Sequence, residues 1–324
     1  MNAAVDWDVF NGDADGICAL VQLRLAQPRQ SELVTGVKRD IGLLQRVHAQ
    51  VGDRVTVLDI SLDKNRTHLQ RVLQAGAEVF YVDHHYAGEM PVSASFKSMI
   101  NEAPDVCTSL LVNQYLRGDY LNWAIVGTFG DNLTKTARGM AKNTSLTAQQ
   151  QDLLQNLGIL INYNGYGSDI QELHFDPAQL YRLLKHYTDP LGFIHDGREH
   201  YQKLEAGYEG DLQAAQTAEL LVANDAIALY VLPNQAWARR VSGAFSNDLA
   251  NKYPNRAHAV LTTKPTGNFL VSVRAPLNNK CGAATLCRQF ASGGGREAAA
   301  GINDLPAEML QEFIDRLTRT YRNL

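Results

Sequence analysis

Short apolar runs alternate with amphipathic stretches through the first hundred residues. Residues 7–10, 32–37, 54–60 and 78–84 concentrate Val, Leu, Ile and aromatic side chains and predict strands. Between them, residues 17–26, 41–51 and 65–76 predict helices, the last closed by Gly76. This βαβα rhythm predicts a mostly parallel sheet with helices on both faces. Residues 106–187 turn largely helical, and residues 120–129 are especially apolar. The polar stretch 198–223 predicts a long connecting helix. A second βα pattern follows, with strands over 226–232, 258–263 and 269–274, helices over 242–253 and 283–290, and a last helix from Glu308. The expected fold class is α/β: an N-terminal mostly parallel sheet flanked by helices, a helical connector and a smaller C-terminal α/β domain. The expected boundaries are 1–195, 196–224 and 225–324.

Composition sharpens this picture in two places. The 324 residues are 45% hydrophobic and 20% charged, which excludes collagenous, coiled-coil and disordered classes and fits roughly two domains. The net charge of −4 conceals an asymmetry. Residues 1–224 carry 18 Lys/Arg against 27 Asp/Glu, whereas residues 225–324 carry 12 against 7. An acidic larger part thus adjoins a basic smaller one. Cys18, Cys107, Cys281 and Cys287 are too scattered for a disulfide framework or a Cys-x-x-Cys zinc site. The N-terminus lacks the basic and apolar regions of a signal peptide, and no run approaches the ~18 apolar residues of a membrane span. A reducing cytoplasm, with no membrane partner, is the expected location.

The polar residues cluster where a parallel sheet binds ligands, beyond the carboxyl ends of its strands. Asn11-Gly12-Asp13-Ala14-Asp15-Gly16 follows the first strand, Asp59 ends the third, and Asp83-His84-His85 ends the fourth. The apolar helix over 120–129 runs into Gly130-Asp131-Asn132. Taken singly, Asp-x-Asp-Gly is as readily a turn, and lone Asp59 or His84 a structural or solvated residue. An EF-hand reading fails because Gln22 stands where the loop needs a bidentate Glu. Together, five carboxylates and two imidazoles on one rim call for cations to neutralise them. Mixed oxygen and imidazole ligands suit divalent manganese or iron, and a two-metal phosphoester-hydrolysing centre follows.

In these motifs and their order the chain resembles the DHH phosphoesterase superfamily, in the branch with a DHH-associated C-terminal domain that includes RecJ exonuclease, nanoRNases and cyclic-di-AMP phosphodiesterases. The resemblance spans nearly the whole chain. It implies that Asp13, Asp15, Asp59, His84 and Asp131 are metal ligands, with Asp59 bridging two manganese ions, for which Mg2+ or Co2+ can substitute. It implies that Asp83 orients a ligand, and that His85 faces the scissile phosphate to stabilise its charge or help protonate the leaving oxygen. Asn11 departs from the His or Asp of many relatives. A neutral amide binds a divalent metal more weakly, so one of the two sites is expected to be loose.

In the basic part, Ser272-Val273-Arg274 and Gly293-Gly294-Gly295-Arg296 resemble the substrate-binding motifs of the DHH-associated domain. The glycines admit a phosphate to backbone N–H groups, and an arginine adds a bidentate contact. Arg296 replaces the histidine of many relatives and keeps its charge at any physiological pH. Arg239-Arg240 could line a groove or end a strand in solvent. Residues 162–167 could stack a base, although a loop tip without ligand is the simpler reading. His174, His186, His195 and His200 have no metal spacing and are given no role.

The resemblance implies a manganese-dependent phosphodiesterase acting on short linear 5′-phosphorylated oligonucleotides, dinucleotides such as pGpG above all, with the active site in the interdomain cleft. Compact length and net acidity argue against a partner of long nucleic acid. A homodimer remains open. Exonuclease action on longer single strands, a cyclic dinucleotide and 3′-phosphoadenosine phosphate are the alternatives within the family. Outside the enzyme class, Asn11 alone supports a nucleotide-binding regulator with a degenerate site.

Overall fold

The computed structural model describes residues 4–322. Residues 1–3 of the N-terminal reading and 323–324 of the expected C-terminal domain lie outside the described residues. The chain divides into two compact units, one ending at Ala206 and the other beginning at Gly207. Each is α/β.

The first unit is built on five strands: β1 (Asp6–Phe10), β2 (Ser31–Val34), β3 (Arg54–Leu58), β4 (Glu78–Asp83) and β5 (Phe96–Ile100). They run in the order β2-β1-β3-β4-β5, and all pair in parallel. Helix α1 (Ala14–Ala26) follows β1 and α2 (Leu62–Gln74) follows β3. The strand order reverses between β1 and β3, so the crevice beyond their carboxyl ends is the topological switch point where such sheets bind ligands. One face of the sheet packs Val9, Val55, Val57, Val79 and Tyr81 against Leu69 and Val72 of α2. The helices α3 (Thr108–Tyr115), α4 (Leu121–Gly130), α5 (Thr134–Ala141), α6 (Ala148–Asn164), α7 (Pro177–Leu184) and α8 (Pro190–Asp196) complete the unit. Helix α1 is buried on every side from Ala14 to Arg24, which explains why its sequence is apolar without a polar face.

Helix α9 (Arg198–Ala215) runs on into the second unit. That unit contains β6 (Glu219–Ala223), β7 (Ile227–Leu232), α10 (Ala236–Lys252), β8 (Ala257–Thr263), β9 (Phe269–Arg274), α11 (Ala283–Cys287), β10 (Gly293–Arg296), β11 (Ala299–Leu305) and α12 (Leu310–Arg322). Its six strands lie in the order β10-β11-β9-β8-β7-β6, with β7 and β8 parallel and the other pairs antiparallel. Val271, Val273, Ala300 and Ile302 point into a core with Phe313 and Leu317 of α12. Among the described residues no helix is long and apolar enough to cross a membrane.

Several elements differ from expectation, β11 and the earlier start of α10 among them. Residues 41–51 form only a 3-10 turn, Leu43–Arg46. Arg71 takes the carbonyls of Leu44, Gln45 and Val47, and Asn65 takes the Leu44 N–H and the Ile41 carbonyl. Side chains therefore satisfy backbone groups that a helix would have paired. The connecting helix stops at Ala215, because Leu220 and Val222 belong to β6, which pairs antiparallel with β7. Strand β5 lies at the sheet edge, half-exposed, without the apolar density that marked the other strands. The glycine run 293–296 is itself a strand, at the edge of the second sheet.

Candidate metal centre and phosphate-binding face

Each motif reaches the rim through a defined local structure. Asp13 caps α1, its Oδ1 accepting the Gly16 N–H at 3.0 Å. Asp15, two residues on and fully buried, accepts the N–H groups of Thr108 and Ser109 with its two oxygens, both at 2.7 Å. Its carboxylate thus sits at the N-terminus of α3, where the helix dipole favours negative charge. Asp59 directly follows β3 with φ 59°, in the left-handed region that a non-glycine residue rarely adopts. This turn aims the Asp59 carboxylate across the crevice, where Oδ1 accepts Thr108 Oγ1 at 3.2 Å. Asp131 caps the C-terminus of α4. Gly130 lets α4 close on α1, since a Cβ there would stand 2.2 Å from the Ala14 Cβ.

Asp15, Asp59 and Asp131 meet around one imidazole nitrogen, and Asp13 is not among them. His84 Nε2 lies 3.4 Å from Asp59 Oδ1 and 3.9 Å from both Asp15 Oδ2 and Asp131 Oδ2. The other nitrogen, Nδ1, is 3.0 Å from the Val106 carbonyl, to which it donates. Two sets of ligating atoms, Asp59-His84-His85 and Asp15-His84-Asp131, lie within metal-binding distance of one another. Burial, together with the charges of Asp13, Asp15, Asp131 and Asp83, pushes Asp59 well above the usual carboxylate range. Burial and then the Asp15 charge raise Asp131 to about 6. Carboxylates so disfavoured as anions are what a bound cation relieves.

The remaining motif residues have protein partners. Asp83 is fully buried and accepts His85 Nδ1 at 2.7 Å, which leaves the outer nitrogen of the half-exposed His85 ring free to face a ligand. Burial would depress His85, but the Asp83 contact outweighs it and raises the imidazole above its ordinary value. Asp13 Oδ2 is bound by Lys38 Nζ at 2.6 Å, and Lys38 also donates to Asn162 Oδ1 at 2.8 Å. Burial acts to raise Asp13, but Lys38 and the Gly16 N–H hold it below the usual range. Asn11 Nδ2 donates to the Lys38 carbonyl at 3.3 Å, and its buried Oδ1 has no partner.

Lys38, Thr108 and Ser109 carry no motif signal, whereas Asn162 falls in the segment 162–167. The only sequence hint at Lys38 was a basic Lys38-Arg39 pair just beyond a strand end. Residues 162–167 are not a free loop tip: the Gly165 carbonyl accepts the Lys38 N–H at 2.8 Å, and Lys38 Nζ lies 5.5 Å from the Tyr166 ring centroid.

In the second unit, strand register assembles the phosphate-binding candidates. Arg296 pairs with Ala299, and Ala299 pairs with Arg274 on its other side. Gly294, Gly301 and Ser272 form the adjoining row. Side chains of paired residues share a face, and residues two apart share it too. Two guanidinium groups therefore flank a floor of Gly294, Gly301, Ala299 and Ser272, opposite the core face. Arg274 is steadied by Asn247 Oδ1 at 2.7 Å and Ser272 Oγ at 3.1 Å. Gly293 and Gly295 are explained by packing: a Cβ would stand 1.7 Å from the Cys287 carbonyl oxygen or 2.5 Å from the Ala300 Cα. A Cβ at Gly294 would meet open space, so only that glycine leaves room for a ligand. Arg239 and Arg240 lie within α10 rather than at a strand end, and Arg240 is paired with Asp211 at 2.8 Å.

Residues 224–323 match the DHHA1 domain family. No curated protein matches the chain in sequence. Among solved structures, the chain is similar to exonuclease RecJ bound to manganese, at 17% identity, TM-score 0.60, over 98% of this chain and 90% of that one. A second RecJ with Mn2+, from Thermus thermophilus, aligns at 17% identity and TM-score 0.54 over 98% of this chain and 52% of that one. The pGpG-specific phosphodiesterase PggH of Vibrio cholerae aligns at 13% identity and TM-score 0.53, over 98% of this chain and 99% of that one. Residues 224–323 thus belong to the DHHA1 domain family, and the chain as a whole shares its fold with RecJ and PggH.

Proposed function

We propose that the protein is a manganese-dependent phosphodiesterase that cuts short linear 5′-phosphorylated oligonucleotides, dinucleotides such as pGpG foremost, to mononucleotides. The convergence of Asp15, Asp59 and Asp131 on His84 Nε2 carries this reading. The donors fit a hard divalent cation: three carboxylates and one imidazole nitrogen. Asp15, Asp59, His84 and Asp131 would hold that cation, and Asp13 with the unpartnered Asn11 Oδ1 would offer at most a weaker second position. A divalent cation supplies Lewis acidity toward a phosphodiester oxygen and lowers the pKa of water.

The chain's own residues supply the rest. Asp83 holds the His85 ring and keeps a proton on Nδ1, so a protonated His85 can deliver the proton on its outer nitrogen to the leaving oxygen. Arg274 and Arg296 would bind the terminal phosphate, with Gly294 allowing it to approach the backbone. Two arginines on one small face suit a short substrate better than a polymer track, which needs a longer basic groove.

Labelled strands of two to ten residues, incubated with protein and manganese, test the reading. Fastest turnover is expected on the 5′-phosphorylated dinucleotide. Preference for the longer strands would overturn the substrate assignment, and absence of cleavage with any divalent cation would overturn the enzyme.

A further inference from the structure

The rim carboxylates differ in what the protein already gives them. Asp15 has two backbone N–H groups, Asp83 has His85, and Asp13 has the Lys38 ammonium. Asp59 and Asp131, among the described residues, are paired with no lysine or arginine, and both face His84 Nε2.

We propose that the centre holds one divalent cation firmly rather than two, because Lys38 occupies the first-motif half as the resident cation of Asp13. The inference rests on the metal-centre reading above and deepens it. Lys38 is built into place rather than draped over an acid. Its Nζ has two fixed oxygen acceptors, Asp13 Oδ2 at 2.6 Å and Asn162 Oδ1 at 2.8 Å. Its backbone is tied at both ends of the residue, the N–H to the Gly165 carbonyl at 2.8 Å and the carbonyl to Asn11 Nδ2 at 3.3 Å. The Lys38 and Asp13 side chains are only 23% and 3% exposed.

Asn11 agrees with this assignment, since its amide brings no charge to a second ion. Both groups of ligating atoms include His84, and neither includes Asp13. A second ion at Asp13 would have to break a sheltered ion pair and then sit beside the displaced ammonium. Lys38 thereby acts as a positioning residue for the first motif.

Metal-stripped protein titrated with Mn2+, followed by calorimetry and by electron paramagnetic resonance, tests this without any turnover assay. The wild type should take up one ion tightly, with the six-line spectrum of an isolated Mn2+, and a second roughly 100-fold or more weakly, as expected for an ammonium opposing a dication at close range. Lys38→Met should strengthen the second site at least about tenfold and yield a spin-coupled pair, while Lys38→Arg should keep the single-ion pattern. Should Lys38→Met fail to fold, Asp13→Asn serves instead, and it should leave the tight site within about threefold of wild type. Two ions of comparable affinity in the wild type, or a folded Lys38→Met with an unchanged second site, overturns the inference alone. No Mn2+ uptake at all overturns the metal centre with it.

Discussion

His84 Nδ1 donates to the carbonyl oxygen of Val106 at 3.0 Å, and this one hydrogen bond decides which ring nitrogen faces the acidic residues. With the proton held on Nδ1, Nε2 presents its lone pair to Asp59, Asp15 and Asp131. Replacing His84 with alanine should weaken Mn2+ binding by more than the roughly 10- to 100-fold typical of losing an orienting partner, because a ligand itself is removed. His84→Gln, whose amide oxygen can reach toward the Nε2 position, should recover part of that loss. Calorimetric titration of the metal-stripped variants checks both. Equal affinity in His84→Ala and wild type would remove His84 from the centre.

Asp131 makes the apo protein less stable than it could be. Its pKa rises from 3.8 in the unfolded chain to about 6 in the fold, first through burial and then through the Asp15 charge. A raised carboxyl is penalised when ionised, so metal-free protein should gain stability from this group as pH falls from about 6 toward 3.8. The gain amounts to about 2–3 kcal/mol in all. Asp131→Asn should therefore be more stable than wild type near neutral pH without metal, with the difference vanishing in acid, and should lose Mn2+ affinity. Urea unfolding of stripped protein across that range checks it. A less stable Asp131→Asn at neutral pH would contradict the account.

The parallel character of the first sheet was legible in its βαβα rhythm, and the four acidic motifs because each sits at a strand or helix end, where periodicity breaks into polar residues. Asp59 was readable as a strand-end acid, although its left-handed backbone was not. Lys38 and Thr108 stayed hidden for a different reason. Thr108 lies 93 residues from Asp15 and 49 from Asp59, and only tertiary packing brings the N-terminus of α3 to the first motif. Strands β10 and β11 were missed because Gly-Gly-Gly-Arg and Ala-Ala-Gly-Ile lack the β-branched density that marks a strand, their pairing being fixed by neighbours instead. The residues 41–51 misled in the opposite direction. Leu43, Leu44 and Val47 are spaced as on a helix, but Asn65 and Arg71 hold that segment in a single turn.

Arg296 pairs with Ala299, which in turn pairs with Arg274, so the two guanidinium groups share a face. A terminal phosphate bridging them would lose one charge-assisted contact in Arg296→Ala. That should raise KM for a 5′-phosphorylated dinucleotide roughly 10- to 100-fold with kcat little changed. The same dinucleotide without its 5′-phosphate should show almost no difference between the two proteins. Arg296→Lys should fall between, since a lysine keeps the charge but not the bidentate fork. An equal loss on both substrates would move Arg296 away from the terminal phosphate.

His258 gives the second unit an acid sensitivity of opposite sign to that of Asp131. The ring is fully buried on β8, Arg256 Nε donates to its Nε2 at 3.2 Å, and Nδ1 has no partner. Burial, and then the Arg256 charge, lower its pKa from 6.5 to about 4. The unfolded chain therefore takes up a proton that the fold refuses, and stability is lost as pH falls from about 6.5 toward 4. The contribution is about 2 kcal/mol near pH 5 and approaches about 3 kcal/mol below the folded value. His258→Gln retains an oxygen acceptor for Arg256 and does not titrate. Its urea-unfolding free energy should stay nearly level over this window after subtraction of the other groups, whereas that of wild type declines. Parallel stability profiles for the two proteins would show that His258 is protonated as readily in the fold as in the unfolded chain.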